Sequence, residues 1–322
     1  MSVGLSTERL HGLRSHLVIL MLAALWVLLL AGVALTQPWI LSGYTVTSVL
    51  QFTTLLALVS LGQGLVVIGG SGVDLSVGGN VSLSAILGGL ALQAGWPAWT
   101  LPLVCTASGL LLGAFNGLLV TRLRITPLIL TLGSFYLFSG LALALTNGGT
   151  IPGVPAWLTG WGRGTWGVIP APFLVLVVPA FALGILVLWQ TSWGRWIYAM
   201  GASERAAHLS GIPVDRLRMA IFSVTGALCG LAAFVSLAWL GSARPNIGLN
   251  LELEALTAAM LGGLAIAGGR GAMPGVLAAA LLIVTLKTVM LQAGLDTVWQ
   301  VGTIGLLLIA ALFVDRYALH KG

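Results

Sequence analysis

Residues 47–93 read TSVLQFTTLLALVSLGQGLVVIGGSGVDLSVGGNVSLSAILGGLALQ, and Asp74 is the only ionisable side chain in that stretch. Two apolar runs, 47–70 and 75–93, flank a glycine-rich turn. A helix needs about 20 apolar residues to cross roughly 30 Å of hydrocarbon, and each run is of that order. Both are far longer than the ~10-residue alternating strands of a membrane barrel. In lipid every backbone polar group must be paired internally, so a helical bundle remains.

The same pattern recurs outward from this stretch, at 17–36, 99–120, 126–146, 171–190, 218–240, 251–267, 272–293 and 298–314. It predicts an all-α polytopic membrane protein of about ten transmembrane helices, one domain over residues 1–322. Composition agrees: 58% of the residues are hydrophobic and 7% charged, whereas soluble domains carry about a quarter charged residues. The apolar run at 17–35 exceeds the ~7–15 residues of a signal-peptide core and is read as the first span. Cys105 and Cys229 both lie within apolar runs, where they act as small buried hydrophobes rather than as a disulfide or zinc pair.

Orientation follows from the cations. With 1–16 as a cytoplasmic tail and both termini inside, Arg9, Arg14, Arg122, Arg124, Arg195, Arg205, Arg216, Arg218, Arg270, Arg316 and Lys321 all fall on the cytoplasmic side. Arg163 and Arg244 fall in outer loops. This positive-inside bias accounts for the net charge of +6 without a nucleic-acid partner. The longest outer loop, 147–170, carries Trp157, Trp161 and Trp166 among Gly and Pro, a composition suited to an interfacial anchor or to an outer lip that receives a partner.

Chemistry is nearly absent. The only lysines are Lys287 and Lys321, and no Gly-x-x-x-x-Gly-Lys-Ser/Thr phosphate loop exists, so the chain has no recognisable means of binding ATP. There is no His-Glu-x-x-His pair, and the four histidines lie in tails or the large inner loop; no catalytic residue and no metal site is expected. Charges inside a membrane cost about 2.5–3.5 kcal/mol each on insertion scales. Lys287, near the outer end of its span, is expected to snorkel to the interface. Asp74 is expected to cap the helix that follows it, with a gating contact as the rival role, and Glu252 and Glu254 suit the start of theirs. So empty an interior argues against a proton-driven carrier and for a neutral solute.

The inner loop 191–217 contains Gly201-Ala202-Ser203-Glu204-Arg205-Ala206-Ala207-His208-Leu209-Ser210-Gly211-Ile212-Pro213. Ser203 is a good N-cap, Glu204 suits the dipole, and Gly211 with Pro213 ends the helix after about seven residues. Such a helix is not stable alone in water, so it is expected to lie on a surface. Ala206 and Ala207 would allow that surface close. A headgroup layer and a partner protein both qualify.

The glycine turn at 69–79 is echoed by Gly262-Gly263 through Gly268-Gly269-Arg270-Gly271, and whether 69–79 is re-entrant is left open by the residues. Segment 204–211 resembles the coupling loop of importer permeases. Gly72-Val73-Asp74-Leu75-Ser76-Val77-Gly78 resembles the signature of the ribose-type sugar ABC importer permeases, a family with an autoinducer-2 branch. So do Thr126-Pro127 through Thr131-Leu132-Gly133, Thr146-Asn147-Gly148-Gly149, and the turn carrying Gly268, Gly269 and Gly271.

That resemblance implies a permease of the bacterial inner membrane, importing a pentose, hexose or autoinducer-2. Its implied partners are ATP-binding cassette subunits that hold ATP and magnesium, a second copy or sister permease, and a periplasmic solute-binding protein. Ser203, Glu204, Ala206, Ala207 and Gly211 are then the coupling residues, and Gly72, Asp74, Ser76, Gly78, Gly268, Gly269 and Gly271 the signature turns. Arg163 and Arg244 are candidates for docking the binding protein, and Phe135, Tyr136 and Asn147 for the solute path. Two departures stand out: Arg205, where the family often has an acidic or neutral residue, and Arg244, where ribose-type members often carry an uncharged one. An ion-coupled secondary transporter of a small neutral solute is the alternative reading.

Overall fold

In the computed structural model, residues 42–319 are described, together with 22–29, 31 and 34. Half of the first expected span, 17–36, lies outside the described residues; 22–29 are helical. The helices in chain order are α1 (Gly43–Ile68), α2 (Val77–Gln93), α3 (Leu101–Leu123), α4 (Pro127–Thr146), α5 (Ala156–Arg163), α6 (Val178–Gln190, entered through a π-helical turn at Phe173–Val177) and α7 (Ser192–Ala202). They continue with α8 (Glu204–Leu209), α9 (Val214–Leu240), α10 (Leu251–Leu261), α11 (Met273–Gln292) and α12 (Thr297–Leu319). Among the described residues α1, α3, α4, α6, α9 and α11, with their flanking turns, are long and apolar enough to cross a bilayer; α2 and most of α12 are shorter apolar helices. The chain is an all-α polytopic membrane protein.

Helix α1 is the axis of the bundle. The most apolar stretch of α1 is 94% buried, against 22% for α4 and 17% for α6, which therefore form the outside. Burying so much of one helix requires its hydroxyls to be satisfied locally. Thr53 and Thr54 donate back to the carbonyls of Val49 and Leu50 at 2.7 and 2.9 Å, and the Thr225 hydroxyl of α9 reaches Gly62 O at 3.0 Å.

Helices α3 and α9 form an antiparallel pair built on small residues. Gly109, Gly113 and Gly117 recur every fourth position on α3; the first two face Gly226 and Gly230 on α9, and Gly117 faces Met219 and Phe222. A Cβ at Gly113 would come 2.9 Å from Gly226 Cα, so the two backbones touch. In lipid, where burial of apolar surface gives no net drive between helices, such close van der Waals contact is what associates them.

Two spans are interrupted. Helix α10 has 11 residues, about 16 Å at 1.5 Å per residue, roughly half a bilayer. The expected span 251–267 is therefore helical only to Leu261, because Gly262 and Gly263 (φ +85°) release the chain there. Helix α2 has 17 residues and begins opposite the middle of α3: Asn80 Nδ2 donates to Gly109 O at 3.1 Å, and Asn116 Nδ2 to Ser76 Oγ at 2.7 Å. Residues 69–76 thus enter the bundle as non-helical chain.

At the end of the bundle opposite α8, the loop 147–170 folds into α5 and short two-residue strands. Strand β1 (Ile151–Pro152) pairs with β4 (Ser242–Ala243), and β2 (Thr165–Trp166) with β3 (Ile169–Pro170). Trp157 and Trp166 are exposed, while Trp161 stacks on Phe234 with ring centroids 5.5 Å apart. Lys287 departs from the expected snorkelling: its Nζ lies 2.6 Å from Glu254 Oε1, because α10 and α11 pack side by side and bring the two within reach.

Gly226→Leu is expected to wedge α3 from α9 and cost about 1–3 kcal/mol or more by overpacking, read as a lowered Tm in detergent. Gly133→Leu, where nothing lies within 4 Å, should leave Tm near wild type. Lys287→Met is expected to cost about 1–3 kcal/mol, the scale of a lost hydrogen bond to a charged group, and adding Glu254→Gln should recover part of it. Strict additivity of the two substitutions would contradict the pairing.

Candidate functional site

Helix α8 is made by its ends. Ser203 stands in extended backbone (φ −163°, ψ 106°), and its hydroxyl accepts the Ala206 amide at 3.3 Å. At the other end Gly211 takes φ +81°, a left-handed conformation that glycine reaches without a steric cost. Gly211 N then donates to His208 O, and Ile212 N to Ala207 O, closing a Schellman-type terminus. Between these caps lie six residues, too few to persist unaided. Two contacts hold them. Ala207 is buried against the chain, and Arg218 of α9 reaches Glu204 Oε2 at 2.6 Å. Neighbours on a helix point about 100° apart, so Ala206 faces outward while Ala207 faces in; the two alanines do not form one docking face. The outward face is completed by Leu209, which is 79% exposed.

Directly before Ser203, the end of α7 is wedged between both glycine turns. A Cβ on Gly201 would come 2.9 Å from Gly269 Cα and overlap Ile68 O at the end of α1. Gly269 N donates to that same Ile68 carbonyl at 2.7 Å. A Cβ at Gly268 would lie 2.6 Å from Gly70 Cα, so the first and second glycine turns touch backbone to backbone. Tyr198 of α7 adds a hydrogen bond from its hydroxyl to Gly271 O at 2.8 Å. Burial pushes its phenol pKa further above neutral pH.

The signature turn is held from inside by a chain of buried polar groups. Asp74 Oδ1 accepts from Ser76 N at 2.9 Å and Ser76 Oγ at 2.6 Å. Ser76 Oγ in turn accepts from Asn116, whose Oδ1 accepts from Ser134 at 2.6 Å. Leu75 N donates to Thr131 Oγ1 at 3.0 Å, and the Gln63 amide, oriented to do so, brackets the Asp74 backbone. Asp74 thus departs from the expected helix cap: it binds Ser76, the N-cap residue of α2, rather than a first-turn amide, and the network around it ties α1, α3 and α4 to the turn. Such a connected network favours one geometry.

A cavity of about 640 Å³ opens beside α8. Gly72, Arg124, Glu204, His208 and Arg218 line it, so the glycine turn and α8 border one cavity. No group of three or more His, Cys, Asp or Glu that could hold a metal occurs among the described residues.

The remaining sequence-derived positions are spread out. Arg163 and Arg244 are both exposed at the opposite end. The Arg163 guanidinium is already committed to the last carbonyls of α9, Trp239 O at 2.8 Å and Leu240 O at 3.4 Å. Phe135 and Tyr136 meet edge to face, and Tyr136 is 68% exposed on the outside of α4. Asn147 is the exposed left-handed cap of α4, about three helical turns from Phe135; the three do not converge. Gly201, Leu209 and Arg218 were not singled out from sequence. For Leu209 an apolar residue on a short capped helix was the available signal. For Arg218, separated from Glu204 by a loop, there was none.

The chain matches the family model for the branched-chain amino acid transport system / permease component over residues 45–312. It is 34% identical to the ribose import permease protein of Bacillus subtilis over 88% of each chain. It is also 34% identical to the autoinducer 2 import system permease protein LsrD of Klebsiella pneumoniae, over 83% of this chain and 81% of that one. Identity to a probable ABC transporter permease protein of Sinorhizobium fredii is 32%, over 93% of this chain and 89% of that one. No solved structure matches. An interrupted helical bundle with a capped hook at one end, matched along nearly its whole length by import permeases, belongs to the branched-chain amino acid transport system / permease component family.

Proposed function

We propose that the chain is the membrane-spanning permease subunit of an ATP-driven importer in the bacterial inner membrane. Its solute is a small neutral sugar or autoinducer-2, passed on by a solute-binding protein. ATP and magnesium sit on separate ATPase subunits, and a second copy or a sister permease completes the path. The observation that carries this reading is α8, a hook capped at both ends whose outward face is Ala206 and an exposed Leu209, wedged through Gly201 onto both glycine turns.

Both termini lie in the cytoplasm on this reading. It is supported by the gathering of Arg122, Arg124, Arg195, Arg205, Arg216, Arg218 and Arg270 on the segments around α8, against Arg163 and Arg244 at the other end. ATP binding closes the ATPases and moves α8. Because Gly201 abuts Ile68 and Gly269, that motion reaches the turn after α1 and the turn before α11 together. The interrupted spans then open the path outward, and hydrolysis resets them. Ribose, autoinducer-2, fructose and xylose appear in the relatives' names, and the solute of this chain is drawn from that class.

In proteoliposomes, ATP-dependent uptake is expected only when the ATPase and the loaded binding protein are both supplied; uptake by this chain alone on an ion gradient would overturn the assignment. Leu209→Glu should lower ATP hydrolysis stimulated by the loaded binding protein about tenfold or more, the scale of a buried hot-spot contact, while membrane insertion is retained. Gly201→Val should uncouple in a different way, leaving ATPase binding intact but abolishing uptake.

A further inference from the structure

The two interrupted spans cross. Gly248, ahead of α10, packs on Gly78 at the start of α2, and a Cβ on either residue would overlap the other's backbone. Gly248 N donates to Ser82 Oγ at 3.0 Å. Only a few residues earlier, Ala243 packs over Gly89, about three turns further along α2. The segment after β4 is therefore not a surface loop. It dips beside α2 to the level of the middle of α3, and α10 starts there.

Glu252, in the first turn of α10, projects into this crossing. It is 8% exposed, and its Oε2 has no hydrogen-bond partner among the described residues. The missing side chain of Gly78 makes its room: a Cβ there would overlap Oε2. The nearby cation does not serve it, because Lys287 is paired with Glu254. A half-satisfied buried carboxylate is costly, and side chains of this kind kept inside a bundle usually serve a ligand or pathway. Sites built where discontinuous helices meet near the bilayer midplane suit small solutes.

We propose that the Gly78–Gly248 crossing is the solute contact of the permease, with the Glu252 carboxylate accepting hydroxyl groups of a neutral polyhydroxy compound. This rests on the import reading above. Hydroxyl donors supply the hydrogen bond that Oε2 lacks. The carboxylate is closed off in the present conformation, so solute reaches it when the two interrupted spans part.

The test uses the complete transporter in proteoliposomes and radiolabelled D-ribose, D-fructose and D-xylose, following whichever the wild type carries. Glu252→Ala is expected to raise KM for uptake about tenfold, equivalent to ~1.4 kcal/mol of binding. Glu252→Gln, whose amide oxygen still accepts, should raise it less. Unchanged KM in Glu252→Gln and Glu252→Ala overturns the proposal, and if the alanine variant fails to fold, an unchanged KM in the glutamine variant alone does so. Replacing sodium by choline supplies a second arm: a sodium requirement that vanishes with Glu252, with KM for sugar unaltered, assigns the carboxylate to a cation and also overturns it. A wild type that carries none of the sugars, or needs no ATPase, is a failure of the import reading itself.

Discussion

The amide of Gly269 donates to the carbonyl of Ile68 at 2.7 Å, at a spot where Gly201 leaves no room for a side chain. Three parts of the chain distant in sequence meet there through backbone alone. Contacts between backbones have no rotamers to absorb movement, so a displacement of α7 and α8 is handed on rather than dissipated. The rest of the molecule is arranged around that junction. Helix α1 ends on it, the two glycine turns lean on each other beside it, and the short hook of α8 leaves directly from it.

Small residues do two different tasks in this bundle. Between α3 and α9 they let long helices pack along a continuous seam, which lipid cannot drive by hydrophobic burial. At the crossing of Gly78 and Gly248 they let the non-helical limb ahead of α10 pass within van der Waals contact of the first turn of α2 inside the bundle. Irregular backbone at such depth is tolerated only where protein supplies its hydrogen bonds. The chain of groups from Asp74 through Ser76 and Asn116 to Ser134 does that for the turn ahead of α2, and Ser82 does it for the limb ahead of α10.

Much of the capped hook was legible in the residues. Ser203, Gly211 and Pro213 mark a short helix because capping chemistry is local. Other features were not. The division of Ala206 and Ala207 between outside and inside depends on where α9 lies. The pairing of Lys287 with Glu254 joins residues on separate helices, and no periodicity encodes which face of α11 meets α10. The apparent span at 251–267 misled because hydropathy measures solvent preference, and an extended apolar limb scores as well as a helix.

Composition and charge determined by themselves that this chain lives in lipid as a helical bundle, since a sequence with 7% charged residues cannot cover a globule in water. They also determined where the hook begins and ends. Tertiary structure alone decided that α2 and α10 begin within the bundle, that the limb ahead of α10 crosses α2 at Gly78 and Gly248, and that Glu252 is left with an unpaired oxygen there. The reason is physical: apolar content and caps are properties of neighbouring residues, whereas a crossing of backbones is set by the packing of helices far apart in the chain.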